Sequence, residues 1–359
     1  MLSRVSRVAE TVVSRATSRG TLFQVTSLLG VLCVATIGVA AVGGPSTIAI
    51  VIVVYIYAAS AIGWNLFSGL TGYVSLVHGA FFGIGAYAFA MMAEHSTAKA
   101  GLLLFGFVPV AALVASIVAI PVGLVAVRVK QHTFVVLSVA IFYLFQQLAF
   151  NLGFTGGSGG LTPPSPAWSG AFFNLVFLLA TACIVAVSIV MQVLLMKSVF
   201  GLRLRSVKDD EQKLASLGVN VYALKVTAMA ISAVPLGLAG AVYAFYLGNV
   251  LPQFAFDPAL DLAIVVVVYL GGTGTVVGPL LGALIIAGLS QWMNSALPSV
   301  SGNGELLGLG AILLVVLYLL PSGLVPSLAR VIVRGFTSGG RTARPGESDA
   351  SEVARVKSA

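Results

Sequence analysis

Charge is what this chain has least of. Asp, Glu, Lys and Arg make up 8% of its 359 residues, hydrophobic residues 58%, and the mean hydropathy is +1.05. A soluble domain is nearer a quarter charged, so there is too little polar surface here to cover a globule in water. Cysteine is nearly absent, and Cys33 and Cys183 both fall inside apolar segments, which excludes a metal-ligand cluster by spacing. His78, His95 and His132 lie far apart and form no HExxH pattern, and neither a Walker A sequence nor a GxSxG elbow occurs. These absences exclude visible machinery for hydrolysis, redox chemistry or ATP use. The chain is read as a non-enzyme with no catalytic residue, metal ligand or cofactor of its own. Strand-like alternation is missing too, which excludes a barrel. The net charge of +8 sits beside apolar segments and marks membrane topology rather than affinity for nucleic acid.

What is present is a succession of apolar runs of about 20 residues, the length that crosses a bilayer as a helix. The fold class is therefore all-α, a polytopic helical membrane protein. Spans are drawn at roughly 22–42, 47–67, 74–92, 102–127, 133–152, 172–195, 223–246, 259–271, 277–295 and 306–325. The positive-inside rule puts the basic N-terminus, Arg128 and Lys130, residues 197–225 and the tail from Arg330 in the cytoplasm. The connections at 43–46, 93–101, 153–171, 248–258 and 296–305 then face outward. About ten crossings satisfy these constraints with both termini cytoplasmic; eight also satisfy them if 259–295 is a re-entrant hairpin. Residues 1–20 carry Arg4, Arg7, Arg15 and Arg19 with valines at 5, 8, 12 and 13, which predicts an amphipathic segment on the membrane surface. The membrane domain occupies 21–328, and 329–359 is a disordered cytoplasmic tail by composition, either a solvated anchor or a partner-binding end.

Two of the span connections are unusual. Residues 69–74 and 271–276 both read G-x-T-G-x-V, about 200 positions apart, between apolar segments. Glycines beside threonine weaken a helix and free backbone groups, which survive in a bilayer only when buried in protein or lining a cavity. Paired interruptions point to a substrate path and an internal duplication; small residues also serve plain helix packing, and both readings stand. Gly79 and Gly83 form a small-xxx-small face that lets another helix approach. His78 is the one histidine well inside an apolar span, either a hydrogen-bonded structural group or a proton carrier. No Asp, Glu, Lys or Arg occurs between Lys130 and Lys197, and the drawn spans are read as free of interior charge. Such a chain has no ionisable group with which to couple transport to protons or sodium, so the energy must come from outside it.

The charge that exists is gathered into one place. Residues 197–213, KSVFGLRLRSVKDDEQK, hold eight of the thirty charged residues. Ser206-Val207-Lys208-Asp209 has the form of a helix start with Ser206 as N-cap, and Asp209, Asp210 and Glu211 suit its first turn. Leu214 and Leu217 fall on one face, Gly218 supplies a stop, and Asn220 caps the next helix. This predicts a surface helix of about ten residues, serving either topology alone or a cytoplasmic partner.

These segments resemble the permeases of branched-chain amino-acid ABC importers. LRSVKDDEQKLASLGVNVYALKVTAMAISAVPLGLAGAVYA (204–244) is similar to that family's cytoplasmic loop and following helix, with Gly218-Val219-Asn220-Val221 at the turn. GLTGYVSLVHGAFFGIGAYA (69–88), the TGGSGGL loop (155–161) and GGTGTVVGPLLGALI (271–285) match three further motifs in the same order. The chain departs from the pattern at Gln212, Lys213 and Leu214, where the importers' E-A-A falls, and at Tyr143, where an acid is common. The resemblance implies a permease in the bacterial cytoplasmic (inner) membrane. A second homologous permease subunit, two cytoplasmic ATPases that carry ATP and Mg, and an extracytoplasmic binding protein would complete it. It implies that the coupling loop 197–222 meets the ATPase through Arg205, Lys208, Asp209, Asp210, Glu211, Leu214, Leu217 and Gly218. It offers Thr71, Gly72, Ser75, His78, Thr273, Gly274 and Thr275 as pathway groups. Thr155, Gly156, Gly157 and Gly160 fall on the binding-protein side. Urea or short-amide permeation and an ATP-independent channel are the alternatives.

Overall fold

The computed structural model describes residues 23–96, 101–166, 168–296 and 324–325. The amphipathic segment 1–20, the span 306–325 save its last two residues, the tail 329–359 and most of the connection 296–305 lie outside these. Among the described residues the structure is helical, with one isolated antiparallel bridge. Helices stand where nine of the ten spans were drawn. They are α1 (Phe23–Val42), α2 (Pro45–Trp64, continued by a π-turn over Asn65–Gly69), α3 (His78–Glu94), α4 (Phe107–Ala126), α5 (Gln131–Asn151), α6 (Gly170–Lys197), α8 (Val221–Leu247), α10 (Pro258–Gly271) and α11 (Gly278–Ala296). Two further helices are α7 (Val199–Ser216) and the short α9 (Pro252–Ala255). Among the described residues seven helical segments are long and apolar enough to cross a membrane, and α3 and α11 fall outside that seven. Both of these start directly after a chain break.

α8 is the centre of the molecule. It is apolar on every side, the mark of a helix enclosed by others, and it packs against α2, α3, α4 and α6. The closest approach uses the absence of side chains. A Cβ on Gly85 of α3 would meet the Gly237 backbone of α8, and one on Gly240 would meet the Phe82 carbonyl. The Gly79–Gly83 face does admit neighbours, Asp261 and Phe142 at Gly79 and α9 with Phe256 at Gly83. Small residues let backbones meet where dispersion replaces the hydrophobic effect as the driving force. Pro121 in α4 and Pro235 in α8 sit inside their helices, as neighbouring helices permit in this setting. The periphery is covered with bare aliphatic side chains, among them Leu113, Ile117, Val136, Leu144, Leu179 and Leu194, a surface suited to lipid and not to water.

The ends of the molecule differ. At one, α7 lies beside the starts of α5 and α8. At the other, the loop after α5 closes on the loop after α8: Leu161 and Val250 exchange backbone hydrogen bonds of 3.1 and 2.8 Å.

Candidate functional site

Both G-x-T-G-x-V segments are breaks in the helices. After the π-turn, Gly72 takes φ +75° and the chain runs non-helically until α3 begins at His78. In the second, Gly272 at φ +118° and Gly274 at φ +73° interrupt the path from α10 to α11. The structure brings the two together. Asn65, in the π-turn, donates from Nδ2 to the Thr275 carbonyl at 2.8 Å and accepts the Gly274 N–H on Oδ1 at 2.8 Å. Gln192 of α6 donates to the same Thr275 carbonyl at 2.9 Å, while its own Oε1 has no hydrogen-bond partner among the described residues. One side-chain amide thus reads the backbone of a segment 210 positions away, satisfying groups that the break had freed.

Thr71 and Thr275 are spent on nearby backbone, and His78 on two serine hydroxyls. Thr71 Oγ1 donates to the Phe67 carbonyl at 2.8 Å and accepts the Tyr73 N–H at 3.3 Å. Thr275 Oγ1 donates to the Gly272 carbonyl and accepts the Gly278 N–H, holding the start of α11. Thr273 is half-buried. His78 is fully buried, with Nδ1 2.8 Å from Ser75 Oγ and Nε2 3.0 Å from Ser232 Oγ of α8. Both ring nitrogens are engaged by serine hydroxyls. Trp64 Nε1 donates to the Ser75 carbonyl at 2.7 Å, Ser138 Oγ accepts the Leu76 N–H at 2.9 Å, and Gln131 donates to the Gly72 carbonyl. The first break is braced at nearly every residue.

The span interiors are not free of charge, which corrects the sequence reading. Asp261, in the first turn of α10, is 3% exposed and accepts the Gly79 N–H at 2.8 Å. It caps α3 from a distance, a position where Val77 offers no side-chain cap. Lys225, one turn into α8, is also 3% exposed. Each lies near a drawn span end, where water would normally reach, but tertiary packing closes over both. The inference that this chain holds no buried ionisable group therefore fails at these two positions.

Lys225 connects the membrane helices to the charged segment. Its ammonium lies 2.8 Å from Glu211 Oε1 and 3.2 Å from the Tyr73 hydroxyl, and sits over the Tyr73 ring at 4.5 Å from its centroid. Tyr73 donates to Glu211 Oε2 at 2.6 Å. Partial burial acts to raise the Glu211 carboxyl, but the bonds from Lys225 and Tyr73 outweigh it and hold the group below the usual glutamate range. Burial and the Glu211 charge push the Tyr73 phenol up, which keeps it a donor. Tyr73 is the residue after Gly72, so α7 is tied directly to the first break.

α7 itself differs from the expected ten-residue helix. It starts earlier, at Val199, with Ser198 accepting the Gly201 N–H at 3.1 Å as its cap. Ser206 is mid-helix and its hydroxyl donates back to the Leu202 carbonyl at 3.1 Å, so the predicted cap is wrong. The break comes at Asp210 (φ −162°, ψ 100°), whose carboxylate accepts the Lys213 N–H at 3.0 Å and caps a second short helical stretch. That bond and the Lys213 ammonium at 3.0 Å hold the Asp210 carboxyl below its usual range. Leu214 and Leu217 do not share a face: Leu214 is buried, while Leu217, at the helix C-cap, is 79% exposed. Gly218 does end the helix, at φ +81°, and Asn220 does cap α8 by accepting the Ala223 N–H at 3.0 Å. Leu204, Val207, Leu214 and Glu211 thus turn toward the membrane helices. Arg205, Lys208, Asp209, Leu217 and Gly218 are exposed, Lys208 with its stem against Gly72, and Asp210 is half-buried at the kink.

At the opposite end, the TGGSGGL loop is shaped by Gly156, Gly157 and Gly160, all at positive φ. Thr155 is buried and donates to the Ala149 and Leu152 carbonyls at 2.8 and 2.7 Å, closing the end of α5.

Asn65, Gln192, Lys225, Asp261, Ser138 and Ser232 were missed as members of these arrangements. The first two carried a signal, being uncharged amides in otherwise apolar runs, with Asn65 directly before the first break. Among the described residues no group of three or more His, Cys, Asp or Glu side chains is placed to hold a metal.

A bundle of apolar helices with two joined chain breaks, one of them tied to a charged surface helix, is the build of a multi-pass transport protein. The comparison with known proteins narrows that class: residues 46–320 match the family described as the branched-chain amino acid transport system permease component, and the chain belongs to it. It is similar to the high-affinity branched-chain amino acid transport system permease protein LivM of Escherichia coli (strain K12), at 28% identity over 309 residues, 78% of this chain and 70% of that protein. It is 27% identical to the LivM protein of Salmonella typhimurium (strain LT2) over 300 residues, 76% of this chain and 68% of the relative. A 60-residue stretch, 17% of this chain, is 43% identical to the nucleoside ABC transporter permease protein NupC of Lactococcus lactis, covering 19% of it. No solved structure matches the chain.

Proposed function

We propose that this chain is the pathway-forming permease of an ATP-driven importer in the bacterial cytoplasmic membrane, carrying branched-chain amino acids handed over by an extracytoplasmic binding protein. It pairs with a second permease subunit, and two cytoplasmic ATPases, which carry the ATP and Mg, dock on α7. The helices cross the membrane ten times with both termini in the cytoplasm, a permease domain at 21–328 flanked by a basic surface segment at 1–20 and a tail at 329–359. The chain itself performs no chemistry.

One observation carries this reading: the Glu211–Tyr73–Lys225 cluster, which ties the underside of α7 to the first break. A push on the exposed face of α7 moves Glu211, Glu211 moves Tyr73, and Tyr73 follows Gly72 and stands two residues before Ser75. Asn65 then passes the displacement to Gly274 and Thr275. Coupling of this kind needs an element with two arrangements that both sites bias, and backbone breaks braced by single side chains are suited to that. ATP binding would draw the two permeases' docking helices together and open the path outward; hydrolysis would reset it. The outer residues Arg205, Lys208, Asp209, Leu217 and Gly218 make the ATPase contact, with Asp210 and Leu214 shaping the helix. The loop bearing Thr155, Gly156, Gly157 and Gly160 meets the binding protein.

The 60-residue likeness to a nucleoside permease supports a second reading of the cargo, that the solute is another small polar molecule and the binding protein selects it. Uptake of labelled leucine, uridine, urea and a short amide by vesicles holding the full complex separates the two. ATP-dependent leucine uptake that Leu217→Asp abolishes, with the variant still in the membrane, supports the proposal. Leucine uptake at the same rate without ATP refutes it in favour of a channel.

A further inference from the structure

A second polar site shares a wall with the Lys225 cluster: Tyr73, Glu211 and Lys225 border it, while Arg128 and Lys130 on its other side take no part in the scheme above. Between the α4–α5 connection, the start of α8 and the second half of α7 is a cavity of about 630 Å³, bordered by Arg128, Lys130, Gln212, Tyr222 and the Glu211–Lys225 pair. The local charges do not balance. Glu211, the acid of this lining, is committed to Lys225 at 2.8 Å. Arg128 and Lys130 are exposed and make no ion pair among the described residues, which leaves two positive charges facing the cavity without a counter-charge.

Arg128 is held ready. Its Nε donates to the Tyr222 hydroxyl at 3.3 Å, its guanidinium lies over the Tyr222 ring at 5.7 Å from the centroid, and Tyr222 in turn donates to the Leu124 carbonyl at 2.6 Å. This fixes the plane of the guanidinium while spending one of its donors. The remaining donors suit the paired oxygens of a phosphate. The site is also placed at the ends of three apolar helices, α4, α5 and α8, the level at which a bilayer changes from acyl chain to headgroup. Val127, buried in the helix packing, and the half-buried Val129 give it an apolar wall.

We propose that this cavity binds the phosphodiester headgroup of an anionic lipid, with Arg128 and Lys130 as its ligands. A lipid seated there would touch Gln212 and abut the Glu211–Lys225 pair, steadying the position of α7. The inference rests on the membrane-spanning reading of the chain and not on ATPase docking or the identity of the solute.

The test uses the purified full chain, delipidated in detergent and read by native mass spectrometry during titration with phosphatidylglycerol, with phosphatidylcholine and inorganic phosphate as separate arms. Phosphatidylglycerol is expected to bind at least tenfold more tightly than phosphatidylcholine. R128Q/K130Q should weaken it roughly thirty-fold, since each basic residue near an anionic surface accounts for roughly a five-fold change. R128K/K130R should keep it within a few-fold, and matching thermal melts of both variants show that the fold is intact. Equal phosphatidylglycerol binding by the wild type and R128Q/K130Q overturns the proposal. Saturation by inorganic phosphate at least as tight as by the lipid overturns the lipid source. In phosphatidylcholine nanodiscs, loss of a co-purifying ATPase subunit from R128Q/K130Q alone reassigns the cavity to a protein contact and overturns the proposal as well.

Discussion

Asn65 and Gly69 should behave as one unit. Asn65 makes two bonds across to the second break, each of 2.8 Å. Replacing it with alanine removes the bond to the Thr275 carbonyl, at about 1 kcal/mol, and orphans the part-buried Gly274 N–H, at about 1–3 kcal/mol; Thr275 retains its bond from Gln192. The expected cost of Asn65→Ala is therefore about 2–4 kcal/mol. Gly69→Ala acts on the same contact by a different route. A Cβ at position 69 would collide with Asn65 Oδ1 and lie 3.0 Å from the Gly274 nitrogen, so Asn65 must leave its seat. The single change should cost about as much as losing Asn65, less about 0.5–1 kcal/mol from alanine's better helix propensity. Once Asn65 is gone, the collision has little left to displace. Asn65→Ala/Gly69→Ala should then cost no more than the worse single variant, a coupling energy of about 2 kcal/mol in a double-mutant cycle. Unfolding in detergent followed by intrinsic fluorescence provides the cycle. Asn65→Ala/Gly85→Ala is the control; Gly85 faces α8, shares no partner with Asn65, and should be additive. Additive costs at 65 and 69, or an Asn65→Ala protein as stable as the wild type, would refute the proposed joint between the breaks.

Three further outcomes are expected. Asp261→Asn keeps an acceptor for the Gly79 N–H and should be tolerated, whereas Asp261→Leu strands that N–H and should lower stability by about 1–3 kcal/mol in the same melts. The carboxyl of Glu211 is depressed by Lys225 and Tyr73, so its contribution is fully present above the ordinary glutamate value of 4.5 and is lost as pH falls through the lowered value. Hydrogen exchange over 211–216 should thus stay constant, after correction for intrinsic rates, from neutral pH to 4.5 and accelerate only below it; Glu211→Gln should exchange fast at every pH, and an unchanged variant would remove the anchor. Asp210→Ala should fray 211–216 while leaving 199–209 protected, and Ser206→Ala should leave both unaffected, since Asp210 and Ser198 hold the caps. Fraying in the Ser206 variant would restore the cap read from sequence.

Much of the charged segment was legible from sequence because turn chemistry is local. Gly218 stops a helix because its φ of +81° disfavours a side chain, and Asn220 caps the next because its oxygen reaches an N–H three residues on. The start of α7 was misread for a related reason. Ser198, Ser206 and Asp210 are all competent caps, and the choice among them depends on Leu204 and Val207 being buried against the membrane helices. Leu214 and Leu217 show the same limit: a spacing of three shares a face only while the helix continues, and here it ends at Leu217.

By itself the sequence determined that the chain is a helical membrane protein with two broken spans and one charged surface segment. The reason is that hydropathy, glycine pairs and charge density act over a few residues at a time. Which groups are buried, and what the breaks touch, was decided only by the tertiary structure. Asn65 and Thr275 are separated by 210 positions, Glu211 and Tyr73 by 138, and Asp261 and Gly79 by 182. No local pattern encodes such pairs. They form because backbone and charge freed from water must find partners within the protein, and the close packing of α3, α8 and α10 determines which partners are in reach.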